Sequence, residues 1–370
     1  MTITQEPMTG RKTAFILAGS FLLSAFGTAA AQQPTMSVEE YAPRSSLRVA
    51  SHPVTRARFP FIDVHGHQAR LQTDADVDAL VREMDALNMR AMVNLSGGSG
   101  ERLAQTVRLM TSRHPGRFVV FANIEFRGVG EPGWTERTVA QLEQDVRTNG
   151  ARGLKIFKNL GMDLLDASGA RVPVDDPRLA PIWEKCAELG IPVMIHSGEP
   201  EPHFQPMDRF NERWLELKVH PERARPANRY PPFEQIMGEQ RRLFRNHPRT
   251  TFIAAHLAWR GNDLTALGAL LDSLPNVSTE VGAVAHELGR QPRAARAFLT
   301  RYQERVMMGK DAYVPAEYGT YFRIFETADE YFDWIRPYAG GWKVYGLDLP
   351  EEVLRKLYSE NALRLYPGLN

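Results

Sequence analysis

The stretch Phe61-Ile62-Asp63-Val64-His65-Gly66-His67 decides how this 370-residue chain is read. An apolar run ends on two histidines spaced two apart. Successive side chains of a β-strand alternate faces, so His65 and His67 are expected to point the same way. Two imidazoles on one side of a strand end make half of a metal site. In an isolated pair of this kind one ring could as well pack while the other meets water. The weight therefore rests on whether other strands also end on a ligand.

Moving outward, apolar periodicity alternates between strand and helix. Strands are predicted at Phe61–His67, Arg90–Leu95, Phe118–Ile124, Gly153–Phe157, Ile191–His196, Thr251–His256, Val277–Val281 and Arg305–Asp311. Helices are predicted at Asp76–Leu87, Leu103–Met110, Thr135–Arg147, Pro177–Leu189, Phe233–Arg245, Asp263–Leu274, Pro292–Tyr302 and Phe322–Phe332. Short buried strands alternating with helices imply a parallel sheet. Eight such units imply an α/β fold closed as a (β/α)8 TIM barrel. An open doubly wound sheet would carry a glycine-rich nucleotide turn after its first strand, where this chain has His-Gly-His.

Four strands end on a metal-type ligand: His65 and His67 on the first, His196 on the fifth, His256 on the sixth and Asp311 on the eighth. If Ile62 and Val64, Val193 and Ile195, and Ile253 and Ala255 face the helices, all five polar groups enter the mouth of the barrel together. Imidazoles and a carboxylate are the usual ligands of a catalytic Zn2+, which lowers the pKa of water. Asp311 suits the double role of ligand and general base, and His256 that of polarising a carbonyl or holding the water. Lys155 shares its strand face with Phe157 and points into the barrel. A buried lysine calls for a partner, either a substrate carboxylate or metal-site contact, or an ion pair with Asp63 or Asp311. Lys158, of opposite parity, is expected to reach solvent, and Lys310 to point away from the barrel axis.

The remaining features frame this core. A loop from Gly198 to Pro232 leaves the end of the fifth strand, where barrel active sites sit, and reads as a lid or pocket wall, or else as a surface insertion. Arg209, Trp214, Trp259, Arg260 and Tyr313 follow strands five, six and eight and are candidate substrate-binding residues. His114 and His247 read as turn residues and His52 as part of the N-terminal arm. A ligand role is not favoured for His203 or His220, and His286 reads as a helix start that could line the mouth. Cys186 sits in a helical pattern and reads as a small core residue. A helical extension, Glu351 to Leu365, closes the chain.

Residues 1–31 have the form of a cleaved signal peptide: Arg11 and Lys12, the apolar run Ala14–Phe26, then Ala29-Ala30-Ala31 before Gln32. The run is too short to span a bilayer comfortably, so no stable membrane anchor is expected, and the protein is expected in the periplasm or secreted. Residues 32–58 read as an N-terminal arm and 59–370 as the catalytic domain. Without residues 1–31 the basic and acidic residues cancel. Nothing then favours a nucleic-acid partner over a small-molecule substrate. The oligomeric state is open, a homodimer included.

The ordered set His-x-His, Lys, His, His, Asp on strands one, four, five, six and eight resembles the amidohydrolase superfamily. Its nearest branch is amidohydrolase family 2, which includes aminocarboxymuconate-semialdehyde decarboxylase. The resemblance runs from about Phe59 to Leu365. It implies a metal-dependent barrel enzyme, commonly with zinc, whose ligands are His65, His67, His196 and Asp311, with His256 activating water or binding substrate. It implies one ion, or two if Lys155 is carboxylated and bridges them. Lys310 stands where the family usually has a small residue or Thr. The expected activity is hydrolysis of an amide, ester or lactone carbonyl. Non-oxidative decarboxylation on the same site is the alternative. A non-catalytic binding protein on a retired barrel would require a lost ligand, and none is lost.

Overall fold

The structure, a computed structural model, describes residues 35–38, 40–336 and 341–369. The signal-peptide stretch, 1–31, lies outside them. Two units are distinguished, Met1–Ser46 and Leu47–Asn370. The described residues of the first are exposed and form neither helix nor strand. Residues 47–58, read from sequence as part of the arm, belong to the second unit. There Ala57 donates to the Leu87 carbonyl, Arg58 to Glu326, and His52 Nδ1 lies 2.6 Å from Asp329.

The second unit is a ring of parallel strands: β1 (Phe61–Gly66), β2 (Met89–Asn94), β3 (Phe118–Val120), β4 (Ala122–Asn123), β5 (Leu154–Ile156), β6 (Val193–Ile195), β7 (Phe252–Ala254), β8 (Val277–Glu280) and β9 (Val306–Met307). β3 and β4 are two halves of one barrel strand, parted at Phe121. β9 returns to β1 through the Asp311 N–H to His65 carbonyl bond and the Val64 N–H to Met308 carbonyl bond, which closes the (β/α)8 barrel.

The helices that cover it are α1 (Asp74–Leu87), α2 (Gly100–Thr111), α3 (Trp134–Arg147), α4 (Ala180–Leu189), α5 (Trp214–Val219), α6 (Phe233–Asn246), α7 (Leu264–Ser273), α8 (Ala285–Gly289), α9 (Pro292–Arg301) and α10 (Tyr318–Glu326). α1 starts on a Thr73–Asp76 capping box and stops at left-handed Asn88. The last helix of the ring starts four residues earlier than Phe322 and ends at Glu326, not Phe332. Beyond it lie the short pair β10 (Phe332–Asp333) and β11 (Lys343–Val344). α11 (Glu351–Arg355) and α12 (Asn361–Leu365) are joined through a π turn. Ala362, Tyr366 and Leu369 join the cluster inside the barrel, with the Tyr366 ring 5.6 Å from that of Phe121.

That inner cluster corrects the expected strand faces. Ile62 and Val64, with Met194, Ile253, Ala255 and Met307, fill the barrel, while Phe61, Val193, Ile195, Phe252 and Ala254 pack against the helices. The expected alternation holds for β5, β6 and β9, but β1 and β7 are reversed. Asp63 therefore faces α10, where Tyr318 Oη donates to it. His65 nevertheless reaches the mouth, because β1 carries a bulge between Asp63 and Gly66. A bulge adds one residue and re-aims the next side chain. His256, at the outward parity of β7, is turned inward by a left-handed turn. His256, Leu257, Ala258 and Trp259 all have positive φ, between 52 and 58°.

Candidate metal centre and active-site cavity

The four expected ligands, His65, His67, His196 and Asp311, and the expected water-activating His256 come together at the C-terminal rim. His65 Nε2, His67 Nε2 and Asp311 Oδ1 form one compact group, with Asp311 Oδ1 3.7 Å from His65 Nε2 and 3.5 Å from His67 Nε2. His196 stands outside that group, one ring further on. Its Nδ1 is 3.3 Å from His256 Nε2, and the His256 ring stacks 4.7 Å from that of His65.

Hydrogen bonds fix which nitrogen each ring presents. His256 Nδ1 donates to the Gly282 carbonyl at 2.7 Å, which turns its Nε2 toward His196 Nδ1 at 3.3 Å. His196 Nε2 is buried and without a hydrogen-bond partner. His65 Nδ1 donates to Glu280 at 2.9 Å and His67 Nδ1 pairs with Ser96 Oγ at 2.8 Å, which leaves their Nε2 atoms at the rim. Burial, reinforced by the charge of Lys155, holds His65 well below its usual value and His67 down to about 4. Burial does the same to His196, which also lies well below the usual range. Neutral rings with Nε2 free are the form that ligates a metal. Burial alone would raise Asp311, yet the neighbouring His65, His256, His67 and Lys155 together hold it below the ordinary carboxylate range. The residues present therefore fit a divalent cation.

Two supporting residues have no counterpart in the sequence-level site. Glu280, fully buried at the end of β8, accepts from His65 Nδ1, from the His256 N–H at 2.7 Å and from the Gly282 N–H. It holds two histidines at once. Gly309 makes room for it, since a Cβ there would lie 2.3 Å from Glu280 Oε2. Ser96 is the second. The available signal was a carboxylate at inward parity on the end of an otherwise uncharged strand.

Lys155 is buried, with Nζ 3.4 Å from His65 Nε2, and desolvation lowers it to about 8. It borders a separate cleft beside Phe157 and Asn159. Lys158 is half exposed, as its parity predicted, and its Nζ lies 2.5 Å from Glu199. Lys310 points away from the axis but is buried beneath α10, where it meets Glu317 at 2.6 Å.

A cavity of about 200 Å3 opens beside the centre, lined by His196, His256, Asp311 and Trp259 together with residues of the 198–232 segment and of the loop after α10. That segment does wall the site. Of the proposed pocket residues, only Trp259 lines this cavity. Arg209 is exposed and stacks on Phe210, Trp214 packs under Lys218, Arg260 is taken by Glu234 at 2.7 and 2.8 Å, and Tyr313 packs on Tyr318. His286 sits near the start of α8 and also lines the cavity. Cys186 is buried, and burial pushes its thiol up, away from reactivity.

A closed parallel barrel whose strand ends gather neutral histidines and an ionised aspartate defines a metal-dependent enzyme class. The amidohydrolase family model matches residues 55–368, and the chain belongs to that family, whose members depend on a divalent metal. A 2-amino-3-carboxymuconate-6-semialdehyde decarboxylase of Dictyostelium discoideum is 28% identical over 134 residues, covering 36% of this chain but only 29% of that protein. Among solved structures, an uncharacterised TIM-barrel protein from Bordetella bronchiseptica aligns with a TM-score of 0.52 and 16% identity over 82% of this chain and 97% of that one. A 2,6-dihydroxybenzoate decarboxylase bound to 2,6-dihydroxybenzoate aligns at 0.52 and 14% over 83% and 99%. At these identities the structural likeness speaks to the fold alone.

Proposed function

We propose that the chain is a zinc-dependent hydrolase that opens an amide, ester or lactone carbonyl of a small molecule, with one ion held by His65, His67, His196 and Asp311. The observation that carries this is the convergence of His65 Nε2, His67 Nε2 and Asp311 Oδ1 at the rim, with the other nitrogen of each ring tied by Glu280 or Ser96. A divalent cation there supplies Lewis-acid polarisation and a lowered water pKa.

The chain's own residues supply the rest. Asp311 is ionised and a third exposed, so it can take the proton of an attacking water and return it to the leaving group. His256 Nε2 is engaged by His196, so contact with substrate requires that pair to part. Otherwise His256 acts by orienting His196. Trp259 packs its ring 4.6 Å from that of His256 and shields the proton transfers from bulk water. Asp311→Asn should keep the fold and lower kcat on an identified substrate by about 10² or more. Unchanged kcat would remove Asp311 as the base.

Decarboxylation on the same donor set is the second reading. It is supported by the name of the Dictyostelium relative and by the cation Lys155 beside His65, which could hold a carboxylate. Carbon dioxide release against proton release separates the two. We also propose export to the periplasm or medium through residues 1–31. N-terminal sequencing of the extracytoplasmic fraction tests it, with a start near Gln32 expected.

A further inference from the structure

The same cavity has polar groups that the metal centre does not use. His203 and Arg213 come from the 198–232 segment, His286 from α8, and Arg336 from the loop after β10. His203, Arg213 and His286 are each more than nine-tenths buried. None of the four hydrogen-bonds to His65, His67, His196, His256 or Asp311 among the described residues.

Several of their nitrogens lack an acceptor. His286 Nε2 lies 2.9 Å from the Arg213 guanidinium and 3.1 Å from Glu287 Oε1, and its Nδ1 is buried and unpartnered. Arg213 spends its terminal nitrogens on Glu216, Glu287 and His286, while its Nε–H has no acceptor. His203 has no hydrogen-bond partner on either nitrogen, its nearest carboxylate oxygen being Glu216 Oε1 at 3.7 Å. Buried donors are normally satisfied, so this concentration of unmet ones calls for an acceptor.

Charge selects the acceptor. Lys158 and Lys310 are spent on Glu199 and Glu317, and Arg213 on two glutamates. Arg336 lines the cavity with no carboxylate partner among the described residues. Of the charged side chains that line the cavity, Lys158, Arg213, Arg223, Lys310 and Arg336 are cationic and Glu199, Glu216 and Asp311 anionic, and this positive excess of the lining favours an anion over a neutral hydroxyl or carbonyl.

We propose that His203, Arg213, His286 and Arg336 form a second subsite that binds a carboxylate carried by the substrate away from the group that reacts. The substrate would then be two-ended, one end at the metal centre and a carboxylate at the 198–232 wall. This rests on the reading that the cavity beside the metal centre is the catalytic one.

The test uses the metal-loaded full chain and calorimetric titration, with no turnover needed. Straight dicarboxylates from malonate to adipate are compared with the monocarboxylates of equal chain length. At least one dicarboxylate should bind about tenfold tighter than its partner, the loss of one charge-assisted contact being of that size. Arg336→Gln should bring the pair within about twofold while leaving the monocarboxylate unchanged, and Arg336→Lys should restore part of the difference. If no dicarboxylate outbinds its monocarboxylate, or if the advantage survives Arg336→Gln, the subsite is refuted. Metal content is measured on every sample. A wild-type protein that takes up no metal counts against the proposed function instead, and the dicarboxylate comparison is still read separately.

Discussion

Replacing Glu280 by Gln isolates the residue that organises the candidate metal centre. The carboxylate accepts three bonds: from His65 Nδ1 and the His256 N–H through Oε1, and from the Gly282 N–H through Oε2. Gln keeps the shape but turns one oxygen into a donor. With the amide nitrogen at the Oε2 position, the Gly282 N–H meets a second donor. With it at Oε1, two bonds are lost. The cheaper arrangement loses one bond and the charge assistance of the other two, a cost of about 1–3 kcal/mol. His65 then loses the anion that fixes its Nδ1 proton, and loss of such a partner typically lowers metal affinity about 10- to 100-fold. Zinc titration of chelator-stripped protein against a competing dye measures the affinity, and urea unfolding the stability. Affinity within twofold of wild type, with stability unchanged, would refute the reasoning that Glu280 orients the ligands.

Other consequences follow from the same geometry. Gly309→Ala places a Cβ against Glu280 Oε2 and 3.0 Å from His65 Cβ, so it should cost about 1–3 kcal/mol in urea unfolding and weaken zinc binding in the same direction as Glu280→Gln. The metal-free protein should lose stability as pH falls. His67 titrates near 6.5 unfolded and about 4 folded, so the unfolded state binds the proton first and stability drops between those values. His67 alone accounts for ~3 kcal/mol of that loss, and a flat urea midpoint from pH 7 to 4.5 would contradict it. Ala258 holds a φ of 52°, so Ala258→Gly should relieve left-handed strain and raise stability by up to about 1 kcal/mol in thermal unfolding. A clear loss would show that the turn is not strained at that residue.

Much of this was legible in the sequence, for definite reasons. The barrel followed from apolar periodicity, because buried parallel strands and amphipathic helices leave different repeats. The residues that gather at the rim were legible as polar groups ending apolar runs. What alternation misjudged was how His65 and His256 arrive. Ile62, Val64 and Ile253 face inward, and the two histidines reach the rim only through a bulge in β1 and a run of positive φ at 256–259. Both features depend on closure of the ring and leave no period in the sequence. Glu280 leaves no clear mark in the sequence, because a single carboxylate at a strand end has no spacing partner. Arg209, Trp214 and Tyr313 lie near a strand end in sequence, but the irregular 198–232 segment turns the first two away and α10 captures Tyr313.

Metal uptake by chelator-stripped protein, followed by elemental analysis after gel filtration, tests the central claim most directly. The wild-type chain should retain one equivalent of zinc, and the double variant His65→Ala, His67→Ala, shown to be folded by circular dichroism, should retain almost none. Equal retention by both proteins, or none by the folded wild type, would contradict a metal centre built on these strand ends.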